Sequence, residues 1–340
     1  MPSFQRNFET ETVHDMMKIS FIIVAYNAAN SMGALLEDLR SQTIDHGQIQ
    51  ALLVDSASTD ATRALMLDFA KDAPFEVKVL DNPKRWLASG INVALRAATG
   101  DAIIRLDAHA RIPKDFLENN LRALERGENI VGGCVAGGKP NTSWENVLRT
   151  VDTSRFCGGA APFRNGGEAR YVDTLAYALY RREVYDKVGL YDERLRRTED
   201  NDMHYRMHLA GYKFFFSPEI ISYHAARSTM RGQLRQKWGN GYWIGRTMRI
   251  QPRCFAPRHL IPAAFVLALF FCLLMLPASA LPMLLVLIPY LLCDLAFSVK
   301  GALSQDHGRL LALVTLPFLF PAVHVVYGLG TLAGLIHNPN

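Results

Sequence analysis

Residues 18–27 read Lys-Ile-Ser-Phe-Ile-Ile-Val-Ala-Tyr-Asn, a short apolar run rich in β-branched side chains that stops on two polar residues, Tyr26 and Asn27. A run of this length with polar punctuation reads as a strand buried on both faces. The pattern repeats: residues 51–54 end on Asp55, residues 77–80 on Asp81 and Asn82, and residues 102–106 on Asp107. Helical patterns fill the gaps at 31–40, 58–69 and 86–98. The order β-α-β-α-β-α-β predicts an α/β unit, a mostly parallel sheet with helices on both faces. Ligands of such sheets bind beyond the carboxyl ends of the strands, so the four polar ends should converge on one crevice. One strand-end Asp alone is more often a turn former or helix cap; four in succession point to a binding site.

The chain has 340 residues, 49% of them hydrophobic, and a formal charge of +5. That charge is too modest for a global nucleic-acid field, and no nucleic-acid partner is expected. Five widely spaced cysteines without a C-x-x-C pair argue against a disulfide framework or a zinc site. The first 17 residues hold Glu9, Glu11, His14 and Asp15 and no apolar core, so no secretory signal is read there and the globular part is expected in the cytoplasm.

Composition changes after Arg258. Three apolar runs follow, at 260–276, 281–297 and 310–336, each close to or above the ~17 residues that just span a bilayer. The first two span, or re-enter as a shallow hairpin about Pro277 and Pro282. Arg246, Arg249, Arg253 and Arg258 precede them, and Lys300 and Arg309 bracket the loop before the third. By the positive-inside rule residues 1–258 and that loop face the cytoplasm of a multi-pass inner-membrane protein. Residues 225–258 carry Arg227, Arg231, Arg235, Lys237 and the four arginines above with no acidic residue, interleaved with Trp238, Tyr242 and Trp243. This reads as an interfacial element against anionic lipid or a lipid pyrophosphate. The expected organisation is an extension at 1–16, a catalytic domain at 17–224, the basic segment at 225–258 and a membrane region of two to three helices at 259–340.

The stretches I-I-V-A-Y-N (22–27), L-L-V-D-S-A-S-T-D-A-T (52–62), A-S-G-I-N-V-A-L-R-A-A-T-G-D (88–101), L-D-A-H (106–109) and T-E-D-N-D-M-H-Y-R (198–206) resemble the family 2 glycosyltransferases of GT-A fold. The 52–62 stretch departs from the family's usual V-D-D-G-S-T-D but keeps its first Asp. With the apolar C-terminal third, the chain looks most like the ExoA-type enzymes of succinoglycan exopolysaccharide assembly. The fold this implies is a GT-A-type nucleotide-binding domain followed by C-terminal transmembrane helices.

The resemblance implies roles for particular residues. Asp55 would accept the N3–H of uracil, while Ala25, Tyr26 and Asn27 would frame base and ribose. Asn82, Arg85 and Asn92 lie on the segment that lines the diphosphate and donor sugar, with Arg85 the natural phosphate partner through its two-pronged guanidinium. A departing nucleotide diphosphate needs a divalent cation, Mn²⁺ or Mg²⁺, and Asp107 would contact it. The family's D-x-D reads Asp107-Ala108-His109 here. His109 either replaces the second carboxylate, favouring Mn²⁺, or stands by while Asp107 holds the ion through water. Asp200 takes the general-base position with Glu199 as its support and Asp202 in reserve, although acidic residues also simply stabilise a helix N-terminus. A single displacement inverts the anomeric configuration and needs no nucleophilic carboxylate.

Other signals are weaker. Gly133 to Lys139 almost spells a P-loop, but Pro140 stands where the magnesium-holding hydroxyl belongs. No G-x-G-x-x-G follows the first strand, the sequon at Asn141 would go unused in the cytoplasm, and His224 reads as a core histidine. Processive members carry Q-x-x-R-W before their membrane helices; Gln233-Leu-Arg-Gln-Lys-Trp238 misplaces the Gln and replaces the Arg, so single-sugar addition is expected. Arg227, Arg235 and Trp238 are the expected acceptor or pyrophosphate contacts. The combined expectation is an inverting, non-processive hexosyltransferase moving a sugar, glucose in the first instance, from a UDP-sugar to a polyprenyl-pyrophosphate-linked oligosaccharide. A polyprenyl-phosphate glycosyltransferase and a non-catalytic scaffold of a polysaccharide assembly complex are the alternatives.

Overall fold

The computed structural model describes residues 17–138, 140–158, 162–224 and 229–337. The chain opens with β1 (Ile19–Ala25), α1 (Ala29–Arg40), β2 (Ile49–Asp55), α2 (Thr62–Asp72), β3 (Glu76–Asp81), α3 (Leu87–Ala97) and β4 (Ala102–Asp107). It continues through β5 (Ala110–Arg111), α4 (Phe116–Leu124), β6 (Ile130–Gly137), α5 (Ser143–Thr153), α6 (Pro162–Asn165), β7 (Arg170–Val172), β8 (Leu179–Arg181) and α7 (Arg182–Val188). Then come α8 (Glu199–Leu209), β9 (Phe214–His224), α9 (Met230–Thr247), α10 (Ile261–Met275), α11 (Leu281–Leu303) and α12 (Arg309–Ile336).

The first four strands pair in parallel in the order β3-β2-β1-β4, as the alternation of elements predicts. Beyond β4 the sheet becomes mixed. Strand β8 adds antiparallel to β4 and β6 antiparallel to β8, β9 runs parallel to β6, and the short β5 and β7 pair antiparallel with β9. Strands β5, β7 and β8 have only two or three residues, too few for the apolar run that announces a strand of the parallel half.

Both sheet faces are covered, which explains the continuous apolar reading of β1. Ile19, Phe21 and Ile23 point to one face and pack with Met32, Leu35 and Leu39 of α1 and with Phe116 of α4. Ile22 points to the other, against Ala88, Ile91 and Leu95 of α3. Helix α3 can approach this closely because residue 90 is Gly: a Cβ there would stand 2.6 Å from Val24 Cγ1.

The three apolar runs form helices. Pro257–Met275, Leu281–Leu303 and Arg309–Ile336 are each long and apolar enough to cross a membrane. Helix α12 also packs on the rest of the protein. Its Ala312, Leu316, Leu319, Phe320 and Val323 pack with Val147 and Val151 of α5, and its C-terminal half lies along α9. A Cβ on Gly241 or Gly245 of α9 would fall 2.1 and 2.2 Å from the carbonyl oxygens of Tyr327 and Thr331, and one on Gly330 or Gly334 would fall 2.5 and 2.0 Å from those of Trp238 and Tyr242. Glycines four apart on both helices thus bring the two backbones into contact, the small-xxx-small solution to close helix packing. The helix of the basic segment, α9, is thus fastened to the last apolar helix. The loop before α12 sits on the N-terminal α/β unit, with Gln305 Nε2 donating to Thr150 Oγ1 at 3.0 Å.

Candidate active site

Register places the strand-end carboxylates level with one another. Ala25 pairs with Asp55, Asp55 with Asp81, and Val24 with Asp107, so the ends of four strands form one ledge. Asp55 is buried there; its Oδ1 accepts the Ser58 N–H at 3.2 Å, and Arg63 Nη1 lies 3.9 Å from Oδ2 while also pairing with Asp81. Tyr26 leaves the ledge half-exposed, with its ring free to face a flat ligand. Asn27 is spent locally: its Oδ1 accepts the Thr59 N–H at 2.8 Å, which ties the β1 end to the turn after Asp55.

Four non-glycine residues among those described have positive φ: Asn27 (48°), Ala57 (58°), Arg85 (65°) and Tyr177 (52°). All four flank this ledge. Left-handed backbone on residues other than Gly is costly and collects at functional sites. It turns Arg85 out, exposed, at the tip of the loop after β3. Asn82 beneath it is enclosed; its Nδ2 donates to Ser56 Oγ and to the Trp86 carbonyl, each at 2.9 Å, and its Oδ1 accepts from Ser89 at 2.8 Å. Asn82 shapes the loop, and Arg85 is the side chain that loop presents.

The centre of the site is Arg105, a residue the sequence did not single out. Its Nη1 donates to Asp200 Oδ1 at 2.5 Å and lies 4.0 Å from Glu199 Oε1, while Nη2 lies 3.6 Å from Asp107 Oδ1. One guanidinium therefore gathers the end of β4 and the start of α8. Its three carboxylate neighbours keep it firmly protonated against the cost of burial. The two acids of α8 differ. Asp200 has a 42% exposed side chain and faces the crevice, whereas Glu199 is buried with Oε2 lacking any partner. Burial first, and then the Asp200 charge, push the Glu199 carboxyl up to about 7 despite Arg105. Beneath them His204 is buried between Thr174 Oγ1 and Tyr180 OH, and burial lowers it to about 4, so it is neutral scaffolding.

Beside Arg105 lies a second group. Asp107, His109 and His224 bring one carboxylate oxygen and two ring nitrogens within 4.8 Å of one another. His109 Nε2 and His224 Nε2 are 2.8 Å apart, and Tyr177 OH donates to Asp107 Oδ2 at 3.0 Å, as an outer partner that orients a ligand would. Two imidazoles and one carboxylate converging at this spacing fit a divalent first-row cation. The three form a possible metal site, in which His109 would be a ligand and His224, read from sequence as a core histidine, would be the third. It arrives through the antiparallel pairing of Ala110 with His224.

Other expected residues sit elsewhere. Asn92 is buried, and its side chain holds the Tyr191 backbone from both amide atoms, at 2.9 Å each, with Glu193 as a further acceptor; it buttresses the loop before α8. Asp202 turns away to Arg206 at 2.9 Å. Arg235 and Trp238 lie on the exposed stripe of α9, while Lys237, in the place of the processive Arg, is drawn inward to Asp152 at 2.7 Å. Arg227 lies outside the described residues.

Comparison with known proteins gives the chain's family and the likeness of its fold. The family model for glycosyl transferase family 2 matches residues 20–189, half of the chain. The succinoglycan biosynthesis protein ExoA of Rhizobium meliloti (strain 1021) is 29% identical over 224 residues, 65% of this chain and 67% of that protein. A dolichyl N-acetyl-α-D-glucosaminyl phosphate 3-β-D-2,3-diacetamido-2,3-dideoxy-β-D-glucuronosyltransferase of Methanococcus voltae is 26% identical over 326 residues, 94% of this chain and 97% of that one. Among solved structures, the mannosyltransferase PcManGT from Pyrobaculum calidifontis, in complex with GDP-Man and Mn²⁺, superposes over 94% of this chain and 87% of its own with a TM-score of 0.60 at 20% identity, a likeness of fold. The chain is a glycosyltransferase of GT-A-like fold and belongs to glycosyl transferase family 2.

Proposed function

We propose that this enzyme transfers one hexose, with inversion, from a UDP-sugar to a saccharide carried on a polyprenyl pyrophosphate, working at the cytoplasmic face of the inner membrane with α10–α12 embedded. The observation that carries this reading is the Arg105 bridge. It holds the exposed Asp200 carboxylate 2.5 Å from one end of a guanidinium whose other end is 3.6 Å from Asp107. A sugar lying over Arg105 would have its leaving diphosphate toward Asp107 and its attacked face toward Asp200. Asp200 then takes the proton from the acceptor hydroxyl, and Arg105 holds that carboxylate in place until the acceptor arrives. Glu199 is too enclosed to reach an anomeric carbon, which favours a single displacement over a covalent intermediate.

Asp107, His109 and His224 would hold a divalent cation, Mn²⁺ by their donor set, which neutralises negative charge on a departing diphosphate. Asp55 offers a buried acceptor for the uracil N3–H, Tyr26 a face for the ring, and Arg85 a fork for phosphate oxygens. Lys237, turned inward to Asp152, leaves no cation where processive enzymes carry the Arg of Q-x-x-R-W, which supports addition of one sugar.

Similarity to ExoA supports an exopolysaccharide setting, and the Methanococcus voltae relative, matched over nearly its whole length, has a dolichyl-linked sugar phosphate in its name. The latter supports a second reading, in which the acceptor lipid carries one phosphate instead of two. Washed membranes given a panel of labelled nucleotide sugars and lipid-linked acceptors test both, with linkage analysis of the product. Asp200→Asn should lower transfer by about 10²–10⁴-fold; unchanged transfer would remove the catalytic assignment.

A further inference from the structure

A cation–aromatic ladder runs from the active site to the apolar helices, and nothing in the donor site uses it. The Arg196 guanidinium carbon lies 3.5 Å from the ring centroid of Trp86, in the loop after β3, and 5.8 Å from that of Trp243 on α9. Arg246, also on α9, lies 5.2 Å from the same Trp243 ring. Arg197 reaches α9 too, donating from Nη1 to Asn240 Oδ1 at 3.4 Å. Three elements therefore meet here: the donor loop, the segment leading into Glu199–Asp200, and the helix clasped to α12.

The charge at this junction is uncompensated. Among the described residues no carboxylate lies within ion-pair distance of Arg196, Arg197 or Arg246, although the neighbouring carboxylates Asp192 and Glu193 have found Arg194 and Lys84. A guanidinium that stacks on an aromatic ring spends its face and leaves its edge N–H donors free. Arg196 does so on Trp86 at 3.5 Å, and Arg196 and Arg246 both lie within cation–π reach of Trp243. Free donor edges on clustered cations are the chemistry of a phosphate site, since phosphate oxygens accept several such bonds at once. The position selects among phosphates, because the ladder continues to the lipid side of the molecule: Tyr242 of α9 meets His337 at the end of α12, ring to ring at 5.9 Å.

We propose that Arg196 and Arg246, arranged about Trp243, seat the phosphate group of the lipid-linked acceptor, with Arg197 at the edge of the seat. This rests on the acceptor being lipid-linked, as argued above. The seat lies beside Thr198, so it would bring the acceptor's sugar end up to Asp200 while the lipid chain leaves along α9 and α12. Arg196 and Arg246 are thus positioning residues for the acceptor, distinct from Arg85 on the donor side.

Farnesyl diphosphate serves as the probe, titrated into the detergent-purified full-length protein and followed by tryptophan fluorescence, with farnesol and phosphatidylglycerol as comparison ligands and UDP with Mn²⁺ as the donor-site control. Wild type should bind farnesyl diphosphate and not farnesol. The double variant Arg196→Gln/Arg246→Gln should weaken that binding by at least about tenfold, with UDP affinity unchanged. Arg196→Lys, which keeps the charge and loses the planar fork, should fall between. The seat is overturned if wild type does not bind the probe or the double variant binds it normally. It is equally overturned if UDP affinity falls in parallel, which would give the arginines to the donor, or if phosphatidylglycerol competes at equal concentration, which would give them to bulk anionic lipid. Transfer persisting in Asp200→Asn would instead overturn the catalytic reading and leave this binding result intact.

Discussion

Thr198 Oγ1 and Thr247 Oγ1 lie 2.5 Å apart, sharing a hydrogen bond in a fully enclosed contact. Thr198 is the residue before Glu199, and Thr247 is the last residue of α9. Because α9 is in backbone contact with α12 through four glycines, this one bond joins the start of α8 to the apolar helices. Thr247→Val keeps the volume and leaves the Thr198 hydroxyl buried without its partner, which costs about 1–3 kcal/mol. Thermal unfolding in detergent should show that loss. Because the displaced element begins α8, kcat should fall while the KM for the nucleotide sugar stays put; an unchanged kcat would mean that the joint is structural only.

Ala57 stands where the family's V-D-D-G-S-T-D motif has Gly, and its φ is 58°. A Cβ in the left-handed region costs roughly 1–2 kcal/mol, part of which a glycine returns as chain entropy in the unfolded state. Ala57→Gly should therefore stabilise the protein by about 1 kcal/mol, a rise of about 2–4 °C in Tm. Because the turn also carries Asp55, a shift in UDP affinity measured alongside would show whether the strain tunes the base pocket.

His224 is expected to matter as much as His109 for the cation. Removing one of three ligands leaves two donors and should weaken Mn²⁺ binding, read by calorimetry on the purified protein, by about 10–100-fold or more for either His→Ala variant. Replacing His109 with Asp restores two carboxylates and should move the metal preference toward Mg²⁺. Equal Mn²⁺ affinity in wild type and His224→Ala would show that the two imidazoles serve only each other. Chelation with EDTA should abolish transfer, and added Mn²⁺ should restore it.

The parallel half of the sheet was legible because each strand is a local apolar run with a polar stop, and parallel pairing lines those stops up. That is why Asp55 and Asp107 could be placed together from sequence. Arg105 could not, although a lone Arg in Ala-Ile-Ile-Arg-Leu-Asp, two residues before Asp107 and so on the same strand face, was the available signal. His224 was missed for a different reason: it meets His109 across 115 residues through a two-residue antiparallel strand that no periodicity announces. Asn82 and Asn92 both turn inward to brace backbone, because which polar side chain of a segment stays open and which braces a loop is decided by packing around it. The fastening of α9 to α12 was present in the spacing of Gly241 and Gly245 against Gly330 and Gly334.

Glu199 gives the site a pH dependence whose sign follows from its burial. Its carboxyl titrates near 4.5 in an exposed chain and near 7 in the fold. Between those values the folded protein holds a proton that the unfolded chain has lost, so this group's contribution to stability is complete below about pH 4.5 and declines as pH rises to about 7. Glu199→Gln mimics the protonated form and should remove that decline, so unfolding midpoints at about pH 5 and about pH 8 should differ less in the variant than in wild type. Activity should move the opposite way. Ionisation of Glu199 adds negative charge where the acceptor proton is taken up, which favours that transfer. Wild-type kcat should therefore climb through neutral pH, and the variant should lose that limb while retaining basal transfer. A variant profile that still rises through pH 7 would transfer the titration to another group and leave Glu199 as a structural acid alone.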